Sequence, residues 1–194
     1  FAPNKSLPCV RGGVQVKACS EGFKEYPYHN RVVYFGPQHM GPSNPLLIKP
    51  SGFYSTMVGF PHDDLTKWSA VYPADIWIQQ MEIAAKGFAK GVELLKQARE
   101  VVDAEHSDRL ENLYRRAEAV RIHLQSAAEQ GRFVDARNKF YNARNNSTRS
   151  EYIKIMRAAC AAERQLVEDA MQVVTRDSSI GYESSNHYFY IPID

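Results

Sequence analysis

Proline is confined almost entirely to one end of this chain, and that distribution limits its fold more than any other feature. Eight of the ten prolines and seven of the eleven glycines lie in residues 1–72, and no proline occurs from Ala74 to Ile191. Proline removes a backbone donor and restricts the residue before it. Pro37, Pro42, Pro45, Pro50 and Pro61 therefore forbid long helices and permit only brief strands between turns. Within that stretch Gly13–Ala18 alternates apolar and polar residues, and Arg31–Phe35 is a β-branched and aromatic run, so both are expected strands. Two strands make no stable sheet alone, so they must pair with each other or with something else.

After Pro73 the hydrophobic period changes from two to about 3.6. Tyr72-Pro73-Ala74-Asp75 places proline at a first helical position, with an acid where the helix dipole favours one. A first helix is expected to about Val102, with Trp77, Met81, Ala84, Phe88, Val92, Leu95, Ala98 and Val102 as its apolar stripe. Gly87 and Gly91 mark a weak spot or a close contact in it. Ser107 is the expected cap of a second helix, whose stripe is Leu110, Leu113, Ala117, Val120, Leu124, Ala127, Gly131, Val134, Asn138 and Tyr141. A third helix is expected from about Thr148 to Thr175. Its apolar face is Tyr152, Met156, Ala159, Leu166, Ala170 and Val173, with Ile153, Cys160, Val167 and Val174 beside it to make a broad buried surface.

Short connections near residues 103–107 and 142–148 favour antiparallel neighbours. Ala117, Ala127 and Gly131, with Ala158, Ala159, Ala161 and Ala162, permit close approach of the axes. The expected fold is therefore mainly α: an antiparallel up-down-up three-helix bundle over residues 73–176. An irregular Pro/Gly-rich N-terminal segment, 1–72, carries one or two short strands. The tail, 177–194, concentrates aromatics at Tyr182, Tyr188, Phe189 and Tyr190 and is expected to pack back.

Lys and Arg total 24 against 22 Asp and Glu, a net charge of +2, so no whole-molecule field recruits nucleic acid or an anionic membrane. No stretch approaches the roughly 20 apolar residues of a membrane helix. Cys9, Cys19 and Cys160 are too few and too scattered for a disulfide framework or a zinc site. Phe1 in place of Met and the end at Asp194 suggest a processed product or an excised piece.

The densest polar and aromatic mixture is Tyr34–Pro45. A short apolar run opening into Gln38, His39, Ser43 and Asn44 resembles a strand end presenting hydrogen-bonding groups to a ligand, and the plainer alternative is a proline-pinned surface loop. Asp63 and Asp64 follow His62. Paired carboxylates beside a histidine can bind metal or serve as acid and base, whereas an acid at this place can equally cap a turn before Leu65. Without a second ligand cluster, no metal and no cofactor are expected. Tyr26, Tyr28, Tyr34, Tyr54 and Trp68 offer faces for sugar rings, while Tyr72 and Trp77 read as core. Residues 130–157 carry an excess of five positive charges, but their aromatics fall mostly on the apolar stripe, so nucleic acid is not the expected partner. Asn145 and Asn146 open formal glycosylation acceptors, meaningful only in a eukaryotic secreted protein.

The run Tyr34–Pro45, continued by Ser51-Gly52-Phe53, Thr56–Leu65 and Gly181–Tyr188, resembles the C-terminal part of large, mostly uncharacterised bacterial proteins that are similar to glycoside hydrolases. The resemblance implies an upstream catalytic barrel that holds the main catalytic carboxylates, and a secreted or periplasmic location. It makes this chain the C-terminal accessory portion of a carbohydrate-processing protein, with Gln38, His39, Asn44, Asp63 and Asp64 as the residues expected to touch sugar. The alternative is a noncatalytic helical module for protein–protein interaction, which requires a contiguous exposed apolar patch.

Overall fold

The computed structural model describes residues 10–11, 14–15, 46–49, 65, 69, 72–177 and 179–180. The described chain is mainly helical. Its helices are α1 (Ala74–Ala98), α2 (Ser107–Asn142) and α3 (Asn146–Val174). At 1.5 Å per residue they are about 38, 54 and 44 Å long. Near the N-terminus Val10–Arg11 (β1) and Val14–Gln15 (β2) form a local antiparallel ladder, with Val10 opposite Gln15 and Arg11 opposite Val14. The expected strand over 31–35 lies outside the described residues.

Each helix departs from its sequence expectation for an identifiable reason. α1 follows Pro73, as the fixed proline φ favours, but ends at Ala98 and not near Val102. Beyond it, Glu100 and Val101 bond three residues back, to Gln97 and Ala98, so the last turn tightens and stops. Ser107 does not cap α2. The cap residue is His106, whose side chain makes no capping bond to the helix, and Asp103 Oδ1 instead accepts from the His106 amide at 2.9 Å. α3 starts at Asn146, earlier than expected, because the Asn145 side chain accepts the Thr148 amide at 2.8 Å.

The stripe expected for α2 describes less than half of what it buries. Ser126, Ala127, Ala128, Glu129, Gln130 and Gly131 are six consecutive buried residues, which at 100° per residue encircle the helix. A helix enclosed all round cannot read as one amphipathic stripe. The extensive helix interfaces are α1 with α2 and α2 with α3, so α2 is the central element. Leu113, Val120 and Tyr141, placed on the expected stripe, are exposed.

Two apolar clusters line α2. The larger joins Trp77, Ile78 and Met81 of α1 to Ala127, Ala128, Phe133 and Val134 of α2 and to Met156 and Ala159 of α3. Leu65 is buried in it, with Leu46 and Tyr72 packed against it. The smaller joins Ile122 to Leu166, Ala170 and Val173, with Ile180 from the tail against it. Gly131 is essential to the first: a Cβ there would stand 2.8 Å from Cζ3 of Trp77 and 3.0 Å from Cγ1 of Ile78. The close approach expected at Gly131 is therefore real, whereas Cβ atoms at Gly87 and Gly91 would meet nothing within 4 Å. On α3 the main face is buried as expected, but Ile153, Cys160 and Val167 are exposed, and Ala158 and Ala161 also face outward. A helix contacting a single neighbour buries a narrow stripe, not a broad one.

Candidate functional site

The helical period carries a carboxyl group into the α2–α3 interface. Met156, Ala159, Glu163, Leu166, Ala170 and Val173 are the buried residues of α3, at spacings of three and four, so Glu163 points inward with its apolar neighbours. Opposite it, Ser126 and Gln130 stand four apart on one face of α2. Ser126 Oγ donates to Glu163 Oε2 at 2.9 Å, and Gln130 Nε2 donates to Ser126 Oγ at 3.2 Å. Glu163 Oε1 has no hydrogen-bond partner among the described residues.

Burial disfavours the charged carboxylate and pushes the Glu163 pKa up to about 7. The Ser126 and Gln130 side chains pull it back, and the nearby Glu129 carboxylate adds to the rise. Ser126, Gln130 and Glu163 are all buried in the α2–α3 interface. On the outer side of the same turn, Cys160 is exposed, and burial with the adjacent Glu163 raises its thiol, which suppresses the thiolate that nucleophilic chemistry requires.

The basic excess over 130–157 does not form one phosphate-binding face. Arg132 pairs with Glu82 of α1 and with Glu129. Lys139 holds Asp135 at 2.7 Å, and Lys154 holds Glu151 at 3.0 Å. Arg137 is buried and donates from Nη1 to the Leu47 carbonyl at 3.1 Å. Four of the seven cations are thus engaged in the fold or in local pairs.

Gln38, His39, Asn44, Asp63 and Asp64 lie outside the described residues, so their mutual placement is untouched by this geometry. Residues next to them are described. Besides Leu47, the Ile48 carbonyl accepts from Tyr141 Oη at 3.1 Å. Leu65, directly after Asp64, is buried in the larger cluster. Among the described residues no group of three His, Cys, Asp or Glu could hold a metal, and no helix is long and apolar enough to cross a membrane.

The most conspicuous exposed feature is the outer face of α1. Ile76, Ile83 and Leu94 are 39%, 53% and 65% exposed, although all three are aliphatic. On a helical wheel they fall within about 20° of one line, opposite the Met81–Ala85–Val92 face that packs on α2. The sequence reading followed the α2-facing stripe and missed this second row, whose sevenfold spacing from Ile76 to Ile83 was its available signal. Neither family models, curated proteins nor solved structures give a match to the chain.

Proposed function

We propose that this chain is a noncatalytic helical interaction module, its three helices running up, down and up, and that it docks a partner through the outer face of α1. The carrying observation is the exposed aliphatic row Ile76, Ile83 and Leu94 along a helix whose opposite face is buried. Isolated exposed aliphatics are ordinary, but a row along one helix face is a recognition pattern. Supporting the antiparallel arrangement, Arg99 pairs with Glu111 beside the first connection, while Glu82 pairs with Arg132 far from it. The test uses 1-anilinonaphthalene-8-sulfonate on the folded chain. It should fluoresce with the wild type and lose most of that signal with Ile83→Glu/Leu94→Glu at unchanged helicity. A dye signal absent from the wild type, or untouched by the double substitution, contradicts this function.

A second reading is the carbohydrate-processing accessory portion suggested by the resemblance, joined to an upstream domain in a secreted or periplasmic protein. One observation favours it. The segments next to Asn44 and to Asp64 are both held by the helical unit, through Arg137 and Tyr141 on Leu47 and Ile48 and through buried Leu65. In this reading the helices are a rigid support for the N-terminal segment and its short strands, with Gln38, His39, Asn44, Asp63 and Asp64 as hydrogen-bonding groups to sugar. Titration with a panel of soluble oligosaccharides should give binding that His39→Ala or Asp63→Ala weakens, and absence of any binding removes the reading.

A further inference from the structure

We infer that the occupant of the outer α1 face is a second copy of this chain, the two α1 helices packing antiparallel about a twofold axis. This rests on the docking reading above. The face follows a regular register: Ile76, Gln80, Ile83, Gly87, Lys90, Leu94 and Gln97 alternate at spacings of four and three, and every one of them is exposed. That is the spacing of the a and d positions of a two-stranded coiled coil, filled by the aliphatics Ile76, Ile83 and Leu94 with the polar Gln80, Lys90 and Gln97 and with Gly87 between them.

The seam is complementary to itself when reversed. An antiparallel pair centred between Phe88 and Ala89 sets Gln80 against Gln97 of the second copy, Ile83 against Leu94, and Gly87 against Lys90. Aliphatic thus meets aliphatic and amide meets amide. Each lysine stem crosses a glycine where even a Cβ would meet nothing within 4 Å. A parallel pair in register would instead stack Lys90 on Lys90 at the centre, with like charges opposed.

The flanks agree with the same orientation. On one side of the seam Lys86 falls opposite Glu93 of the second copy, and Glu93 opposite Lys86, giving two opposite-charge pairs. Within its own chain Glu93 already holds Lys96 at 2.7 Å, but both partners are exposed and the carboxylate can accept again. On the other side Ala84 falls opposite Gly91, and these small side chains let the helices approach closely. A stripe from Ile76 to Gln97 is about 32 Å long, and a single-helix contact of that length falls below the standard interface size, so the dimer belongs to the weak, concentration-dependent class. Twofold contacts of this kind close on themselves and do not propagate into filaments.

Sedimentation velocity of the full chain from micromolar to millimolar concentration tests this. The expected result is a reversible monomer–dimer equilibrium. Leu94→Glu should weaken it by about tenfold or more, since it buries a charge in the central layers. Lys86→Glu should also weaken it, and Lys86→Glu/Glu93→Lys should restore it. Unchanged circular dichroism and melting of each variant confirm the fold, as these are surface positions. A chain monomeric throughout, or a dimer indifferent to Leu94→Glu, overturns the inference, and failure of the charge swap to restore association overturns the antiparallel pairing. A monomer whose dye signal still depends on Ile83 and Leu94 overturns the second copy alone, whereas a monomer with no such signal overturns the docking function as well.

Discussion

Ser126 Oγ donates to Glu163 Oε2 at 2.9 Å across the α2–α3 interface, and this contact holds a carboxyl group within the helical layer. Because burial raises its pKa to about 7, from an ordinary 4.5, the folded state binds the proton more tightly than the unfolded chain. The stabilisation this gives is fully present below the unfolded value of about 4.5 and is lost as pH rises through about 7. Its size is on the order of 3 kcal/mol if the shift is wholly expressed. Urea midpoints from pH 4.5 to 8.5 should therefore fall more steeply for the wild type than for Glu163→Gln, with the variant the more stable of the two at pH 8. Parallel profiles would show that Glu163 does not titrate in this range.

Two glycines on facing helices should respond with opposite sign to the same substitution. At Gly131 a methyl group would press on the Trp77 ring and on Ile78, both in the core. Gly131→Ala should destabilise by about 1–3 kcal/mol through overpacking. At Gly91 the new methyl meets nothing within 4 Å, so Gly91→Ala should stabilise by up to about 1 kcal/mol through helix propensity. Chemical denaturation of dilute protein measures both.

How much of this could be read beforehand depends on how many neighbours each helix has. α3 has one extensive neighbour, and its stripe from Met156 to Val173 was legible. The gap of seven between Ala159 and Leu166 was the sign of an inward position at 163, but hydrophobicity alone passes over a glutamate. α2 has two neighbours and is buried all round from Ser126 to Gly131, so a one-stripe reading captured Ala127 and Gly131 and lost Ile122, Phe133 and Arg137. α1 was read by its α2-facing stripe, which left the row Ile76, Ile83 and Leu94 unassigned. The expected sugar-contacting residues lie outside the described residues, so nothing in the fold sharpened them.

The caps of α2 and α3 differ in kind, which their alanine variants should expose. Asn145 accepts the Thr148 amide at 2.8 Å, so Asn145→Ala should cost about 1 kcal/mol. Ser107→Ala should change stability far less, because Ser107 follows the cap position and the His106 amide is served by Asp103. Thermal melts of the two variants side by side decide this, and an equal loss would return the capping role to Ser107.

At the α1–α2 turn, Arg99 Nη2 donates to Glu111 Oε2 at 2.7 Å, and the same guanidinium lies 3.8 Å from the centre of the Tyr114 ring. Both side chains of the ion pair are about one-third exposed, so water and salt screen them. Arg99→Ala should cost about 0.5–1 kcal/mol, diminishing as salt is added. Arg99→Lys should recover little of it, since lysine offers neither the planar fork nor the stacking surface. Full recovery by lysine would reduce the contact to simple charge.

The openness of the outer α1 face is tested most directly by hydroxyl-radical footprinting of the dilute chain, read at single residues along α1. Leu94 should be modified at a rate close to that of a fully accessible residue, while the buried Trp77 and Met81 are strongly protected. Protection of Leu94 as deep as that of Trp77 would mean the face is covered within the chain itself, and the helical docking function would not stand.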